Sequence, residues 1–234
     1  MSIAENIARV REQIVNAARR AKREPSDVSL MAVTKTVSPE RIREAYEAGV
    51  RLFGENRVQE FEGKSAALSD LNGAEWHMIG HLQRNKSRLA AETFRAVDSV
   101  DSLRLLQRLN GAADQLGKKL PILIEINIGG ETAKTGVAAD SAELEQILTS
   151  APQYEFVHIR GLMTVPPYSD DPEQSRPFFR SMRELRDQIA ARKLPAISTE
   201  TLSMGMSHDF EVAIEEGSTC VRIGTALFGE RTNP

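Results

Sequence analysis

Cysteine is almost absent from this 234-residue chain, which contains only Cys220. A single cysteine cannot form an internal disulfide bond, and such usage is typical of proteins that work in a reducing compartment. Cys220 begins the short apolar run 220–223, which predicts a buried strand, and no neighbouring motif supplies a base for it. We therefore interpret Cys220 as an inert core thiol and not as a nucleophile.

Long apolar runs are missing as well. No stretch approaches the roughly 20 apolar residues that a membrane-spanning helix needs. The first residues also lack the apolar segment of a secretory signal. The net charge of -3 gives no reason to expect nucleic acid as a partner. From these absences we expect a cytoplasmic protein with neither nucleic acid nor a membrane among its partners.

Short apolar runs alternate with amphipathic stretches along the whole chain. Eight such runs are often bounded by glycine, proline or polar residues, as buried parallel strands are. They cover residues 29–33, 51–53, 76–79, 94–97, 121–126, 157–162, 201–203 and 220–223. Eight strands alternating with helices predict an α/β fold, a (β/α)8 TIM barrel that forms a single domain over residues 1–234. An open doubly wound sheet is the alternative that the same pattern permits.

The stretches between the runs carry apolar residues at helical spacing. Two such stripes are Leu105, Leu109, Ala112 and Leu116, and Phe178, Met182, Leu185 and Ile189. An extra helix is expected ahead of the first strand, with its apolar face formed by Ile3, Ile7, Val10 and Ile14. Ser38 and Pro39 fit the N-cap and the first position of another helix, which we expect to stop at Gly49.

Lys35 is the most informative of the polar residues that follow the predicted strands, where barrels of this kind place their sites. The chain has eight lysines against twenty-two arginines, and this lysine comes directly after an apolar strand. Near an apolar barrel mouth, desolvation disfavours the ammonium form and frees the amine to attack an aldehyde. The alternative is a lysine that extends to water at the end of a strand, and the position alone does not separate the two.

The loops after the last two strands predict a phosphate site. Barrels often bind phosphate there, where free backbone N–H groups meet the start of a helix. Ser207 and Thr225 offer hydroxyl donors, and Gly205 and Gly224 permit close approach of the backbone. The alternative is that Ser207 only caps the helix containing Val212, since capping uses the same N–H groups.

Arg222 lies within the last strand, where a permanent charge is costly unless it faces a partner. A cofactor ring nitrogen is one candidate partner, and a carboxylate such as that of Glu125 is the other. Lys134 could supply a second amine near the site, although a mobile loop lysine is the simpler interpretation.

Two histidines, His77 and His81, lie four residues apart on either side of Gly80. The strand-like context does not suit a helical metal pair, and no third ligand has a suitable spacing. We therefore predict no metal site. We interpret His77 as a core residue and place His81 at the rim of the barrel.

Several of these segments together resemble one known family, the pyridoxal phosphate homeostasis proteins. The resemblance runs from the first strand to the last, through residues 32–36, 53–56, 76–86, 161–163, 202–207 and 221–225. The string His-x-Ile-Gly-x-Leu-Gln at 77–83 is specific to that family. Thr34 departs from the serine of many members, a change that should not disturb the neighbouring lysine.

The resemblance implies a role for each candidate residue. Lys35 would hold pyridoxal 5'-phosphate (PLP) as a Schiff base, and Arg222 would face the pyridine nitrogen. The residues that would complete the cofactor site are Ser207, Gly224 and Thr225 at the phosphate, Asn56 and Met204 near the ring, and His81 at the rim. The family fold is similar to the N-terminal barrel of alanine racemases, which favours the barrel over the open sheet.

The resemblance also implies a carrier of PLP that affects vitamin B6 balance without catalysis, with apo PLP-dependent enzymes as partners. The alternative is an amino-acid racemase, which needs a base on each face of the substrate. Fold-related racemases take their second base, a tyrosine, from a further domain of the partner subunit. Because the chain ends shortly after Arg222, we expect that domain to be absent and the protein to be a monomer. A third interpretation is a phosphate-sugar aldolase that uses Lys35.

Overall fold

Eight parallel strands close into a barrel in the order β1-β2-β3-β4-β5-β6-β7-β8. The structure is a computed structural model, and it describes residues 1–131 and 134–230. The strands are β1 (Ser29–Val33), β2 (Leu52–Glu55), β3 (Glu75–Met78), β4 (Ala96–Val100), β5 (Leu120–Glu125), β6 (Val157–Met163), β7 (Ile197–Met206) and β8 (Cys220–Ile223). This topology confirms the predicted (β/α)8 barrel, and the open-sheet alternative is wrong.

Helices follow the strands and cover the outside of the barrel. They are α1 (Ile3–Arg20), α2 (Pro39–Glu47), α3 (Val58–Ser65), α4 (Ser87–Thr93), α5 (Leu103–Gln115), α6 (Ala142–Ser150), α7 (Arg176–Ala191), α8 (Phe210–Glu215) and α9 (Thr225–Phe228). The apolar core lies between this layer and the strands, as it does in other barrels. No helix in the described part of the chain is long and apolar enough to cross a membrane.

The extra helix ahead of the first strand is present as α1. Ser2 and Glu5 form a capping box at its start, with the Glu5 amide 3.2 Å from Ser2 Oγ. Its buried face includes the predicted residues Ile3, Ile7, Val10 and Ile14. Asn6 Nδ2 donates a hydrogen bond of 3.0 Å to the carbonyl of Leu227, so the helix is tied to α9 at the far end of the chain.

The local predictions hold for α2 and fail in part for α7. Ser38 is the N-cap residue of α2 and Pro39 its first residue, while Gly49 follows the helix with a φ of +87°. In α7, however, Phe179 is fully buried and Phe178 only half buried, so the predicted stripe is wrong at its first residue. The buried face of α7 runs through Phe179, Met182 and Ile189.

An ion cluster joins the end of α8 to α7. Glu216, whose side chain is 6% exposed, contacts Arg176 at 3.2 Å, Arg180 at 3.1 Å and Arg183 at 3.0 Å. Burial works against the charged carboxylate, but the neighbouring guanidinium groups outweigh it and lower the pKa of Glu216. The cluster therefore stabilises the helix layer near β7 only while Glu216 is ionised.

Candidate cofactor site

Lys35 lies in the turn that follows β1, at the carboxyl end of the barrel. Because β1 pairs with β8, with Ala32 opposite Ile223, the turns after these two strands are neighbours. Lys35 lines a cavity of about 50 Å³ together with Arg41, Gly224 and Thr225. The structure thus brings together the predicted amine and two of the three predicted phosphate residues.

Ser207 completes this arrangement from the loop after β7. Its Oγ accepts a hydrogen bond of 3.2 Å from the amide of Ala226, one residue after Thr225. The helix after β7, α8, begins at Phe210 with Asp209 as its N-cap residue, so Ser207 does not cap that helix. A hydroxyl that accepts a hydrogen bond still has its own proton to donate, which suits a phosphate oxygen.

Arg222 extends from β8 into the barrel interior and is 4% exposed. Its guanidinium donates hydrogen bonds of 2.8 Å to Ser203 Oγ and 2.7 Å to the carbonyl of Thr164, both neutral acceptors. The other candidate partner, Glu125, is not one of the groups that Arg222 contacts in the described residues, although each of the two charges affects the pKa of the other. Burial lowers the pKa of Arg222, although an arginine stays protonated in proteins.

Glu125, at the end of β5, is also buried in the barrel. Its Oε1 accepts a hydrogen bond of 2.9 Å from Thr135, and its Oε2 has no hydrogen-bond partner among the described residues. Burial raises the pKa of Glu125, because the charged form is poorly solvated there. Unsatisfied buried polar atoms of this kind are uncommon, and they often mark a site.

Met204 does not share the cavity of Lys35. Its predecessor in β7, Ser203, reaches Arg222 inside the barrel. Successive side chains of a strand point to opposite faces, so Met204 points outward, where it is fully buried in the apolar core. Only the backbone of Met204 is therefore available to a ligand inside the barrel.

Asn56 and His81 follow β2 and β3 and line a second cavity, of about 350 Å³. His81 is 55% exposed and its Nδ1 lies 3.0 Å from Asp101 Oδ2, in accord with the predicted position at the rim. The two loops are in direct contact at Gly80, where a Cβ atom would lie 2.7 Å from the Cα of Asn56. Asn56 and His81 share this second cavity and do not line the cavity of Lys35.

His77 lies at the opposite, amino end of the barrel, half buried, with its Nδ1 3.1 Å from Asp98 Oδ2. Burial works against a charged ring, but Asp98 outweighs it and raises the pKa of His77. Cys220 is buried as predicted, and burial raises the pKa of its thiol to about 12. No cluster of three or more His, Cys, Asp or Glu residues suited to a metal occurs in the part of the chain that the structure describes.

Lys134 lies in the loop after β5. Its Nζ donates a hydrogen bond of 3.2 Å to the carbonyl of Pro166 and forms an ion pair with Glu131. Thr132 and Ala133, in the same loop, lie outside the described residues. Lys134 does not line the cavity of Lys35.

Sequence reasoning missed a buried polar cluster beside Lys35. Thr34 Oγ1 donates a hydrogen bond to Glu55 Oε1, and both residues are fully buried. Lys64 Nζ lies 2.8 Å from the same carboxylate oxygen. Burial raises the pKa of Glu55, and the ammonium of Lys64 opposes that rise. The glutamate at the end of an apolar strand and the scarcity of lysine were the two signals that could have revealed this pair.

Comparisons with known proteins agree with the barrel fold and show the family. Residues 5–232 match the family model described as alanine racemase, N-terminal domain. A protein of Aquifex aeolicus (strain VF5) named pyridoxal phosphate homeostasis protein is 45% identical over 231 residues, which are 99% of each chain.

Two solved structures are similar to the barrel to different degrees. PipY of Synechococcus elongatus PCC7942, solved with PLP bound, has a TM-score of 0.83 and 38% identity, and the match covers 97% of this chain and 100% of PipY. An alanine racemase of Clostridium difficile 630 has a TM-score of 0.74 and 15% identity. The match covers 99% of this chain but 57% of the racemase, and at that identity it shows the fold alone.

Proposed function

We propose, because this chain belongs to the pyridoxal phosphate homeostasis protein family, that it binds PLP as a Schiff base on Lys35 and serves intracellular PLP (vitamin B6) homeostasis. The observation that carries the proposal is the cavity that joins Lys35, after the first strand, to Gly224 and Thr225, after the last. An amine and a turn suited to phosphate that line one cavity match the aldehyde and the phosphate of PLP.

Each group of the site has a distinct task in this function. The aldehyde of bound PLP condenses reversibly with a primary amine, with loss of water, and Lys35 supplies that amine. Ser207, Gly224 and Thr225 bind the phosphate, and Arg222 directs its charge toward the ring nitrogen. Asn56 and His81 border the ring from the neighbouring loops, and Met204 contributes backbone alone.

We propose further that the protein holds PLP without catalysing a reaction. Racemisation needs a second base, yet none of the tyrosines lines the cavity of Lys35 within the described residues. Tyr46 donates to the carbonyl of Asn72, Tyr154 bonds to Gln107, and Tyr168 is 79% exposed. An arginine at the ring nitrogen also donates no proton at ordinary pH, so the ring would be a weak electron sink.

A carrier has to release its cofactor, and apo PLP-dependent enzymes are the recipients that we propose. The protein acts in this role as a single-domain monomer in the cytoplasm. Size-exclusion chromatography with light scattering tests the monomer, and a stable dimer at micromolar concentration would contradict it.

The absorbance spectrum of the purified protein is the primary test. We expect a visible Schiff-base band that Lys35→Ala abolishes. The matched control is Lys119→Ala at the amino end of the barrel, which should keep the band. A phosphate-sugar aldolase would show no visible band as isolated, and that result would overturn the proposal.

Two further measurements separate a carrier from a racemase. Incubation of the PLP-loaded protein with an apo PLP enzyme should restore the activity of that enzyme, and no transfer at any concentration would contradict the carrier role. L-Alanine in deuterated water should keep its Cα hydrogen. Exchange at a useful rate, lost in Lys35→Ala, would instead support the racemase.

A further inference from the structure

Lys35 lies between two residues that are hydrogen-bonded to the same group of charges, two of which are buried and one partly buried. We call Glu55, Glu60 and Lys64 the Lys64 cluster. The Lys64 side chain is 8% exposed, and its Nζ lies 2.8 Å from Glu55 Oε1 and 3.1 Å from Glu60 Oε1. Lys64 comes from α3, so the cluster ties that helix to the end of β2.

The Lys64 cluster binds the backbone on both sides of Lys35. Lys64 Nζ donates a hydrogen bond of 2.8 Å to the carbonyl of Thr34, the residue before Lys35. Glu60 Oε1 accepts one of 2.5 Å from the amide of Thr36, the residue after it. The peptide segment that carries the Lys35 side chain is therefore held at both ends by the cluster.

This turn needs such support because its backbone is strained. Thr36 has a φ of +61°, in the left-handed region that β-branched residues rarely adopt. Conformations of this kind persist only where the surrounding structure imposes them. The hydrogen bond from the Thr36 amide to Glu60 is one such constraint.

Stability alone is a weak explanation for the buried charges of the cluster. A buried ion pair seldom stabilises a fold more than apolar residues of the same volume would, because both charges lose their hydration. The Glu55 Oε2 atom makes this cost larger, since it is buried without a hydrogen-bond partner among the described residues. The cluster instead fixes the backbone around Lys35, because it makes three hydrogen bonds with the flanking residues Thr34 and Thr36.

We propose that Lys64 is a positioning residue for Lys35, fixing the turn so that the Lys35 amine meets the PLP aldehyde in the orientation needed for the C–N bond. This inference rests on the proposed function. Orientation of the reacting groups accelerates a bond-forming step without changing the contacts that hold the remainder of the ligand. Lys64 should therefore affect Schiff-base formation and leave phosphate and ring binding unchanged.

The test compares PLP with pyridoxine 5'-phosphate, which has an alcohol in place of the aldehyde and cannot form a Schiff base. In Lys64→Met we expect PLP to bind about tenfold more weakly and the visible band to form about tenfold more slowly. The dissociation constant for pyridoxine 5'-phosphate should stay within about twofold of that of the unmodified protein.

Two controls separate positioning from general destabilisation. His77→Gln disturbs the pair of half-buried His77 with buried Asp98, at the opposite end of the barrel. It should lower the melting temperature without changing the affinity for either ligand. If Lys64→Met does not fold, Glu60→Ala removes the acceptor of the Thr36 amide at a more exposed position. Glu60→Ala should weaken the binding of PLP but not that of pyridoxine 5'-phosphate. Glu60→Gln keeps an acceptor oxygen and should bind PLP normally.

The outcomes are distinct. An equal loss of affinity for both ligands, or no loss for either, would overturn the positioning role of Lys64. A selective loss for PLP supports it. If the unmodified protein forms no visible band with PLP, the proposed function fails and the inference fails with it.

Discussion

Substitution of Gly80 by alanine tests whether the contact between the loops after β2 and β3 shapes the cofactor site. A Cβ atom at Gly80 would lie 2.7 Å from the Cα and 2.9 Å from the carbonyl carbon of Asn56, and still closer to its carbonyl oxygen. All three are backbone atoms, so no side chain can rotate away. The Gly80 carbonyl also accepts a hydrogen bond of 2.6 Å from Ser99 Oγ, which holds the loop on its other side.

The size of the effect follows from these distances. Ordinary Cβ contacts begin at about 3.4 Å and the Asn56 carbonyl oxygen would lie at 2.3 Å, so the two loops must separate by roughly 1.1 Å. Overpacking of this kind costs about 1–3 kcal/mol, which for a domain of this size lowers the melting temperature by roughly 2–12 °C. Because Asn56 moves with its loop, we expect the affinity for PLP to fall about tenfold.

Gly111→Ala is the matched control. Gly111 lies in α5, and no atom lies within 4 Å of the place where its Cβ would be. Alanine should stabilise this helix by about 0.5–1 kcal/mol and leave PLP binding unchanged. Urea denaturation and titration of the visible band measure both quantities. Equal stability and equal PLP affinity for Gly80→Ala and Gly111→Ala would refute the predicted steric clash between Gly80 and Asn56.

Three other changes are predicted from single contacts. Ser207→Ala should lower the free energy of unfolding by about 0.5–1.5 kcal/mol, because the Ala226 amide loses its acceptor, and phosphate binding should weaken; a normal dissociation constant for pyridoxine 5'-phosphate would contradict this. The ion pairs that lower the pKa of Glu216 stabilise the fold at pH values above the pKa of an unfolded glutamate, about 4.3. This contribution is lost as the pH falls through the lower pKa that Glu216 has in the folded protein. Urea denaturation from pH 6 to pH 3 should therefore show a smaller loss of stability for Glu216→Gln than for the unmodified protein, and parallel curves would disprove the role of the ion pairs with Arg180 and its neighbours. Cys220, with a pKa of about 12, should react with a thiol reagent at pH 8 only after unfolding, and rapid labelling of the folded protein would show that the strand opens.

The strands could be predicted because their signal is local. A run of apolar residues between polar ones is visible in any buried strand, and all eight appear in the barrel. The limits of β7 were the largest error, since it spans Ile197–Met206 and the predicted run covered only 201–203. The apolar pattern does not reveal the first half of β7, because Ser198 and Glu200 are polar. They lie at the exposed amino end of the barrel, where polar side chains cost little free energy of desolvation.

The candidate residues that the structure brings together are those whose positions depend on chain topology, and the contacts that the sequence did not predict depend on side-chain packing. Lys35 and Gly224 follow strands that had to be neighbours once the barrel closed. The contacts of Lys64 with Thr34 and Glu55 join separate elements through the ends of long side chains. The periodicity of the sequence does not predict such contacts, so only the folded structure shows them.

The pairing of β1 with β8 has a consequence for how the protein comes to be loaded. Lys35 follows the first barrel strand that leaves the ribosome, and Gly224 follows the last. The turns after these two strands meet only after all the other strands have been synthesised and the seam between β1 and β8 has closed, a non-local and therefore slow step in folding. A ligand that spans the seam stabilises the closed form by mass action, by about 2.7 kcal/mol at one hundred times its dissociation constant. At the PLP site proposed above, binding of the ligand and closure of the seam are therefore thermodynamically linked.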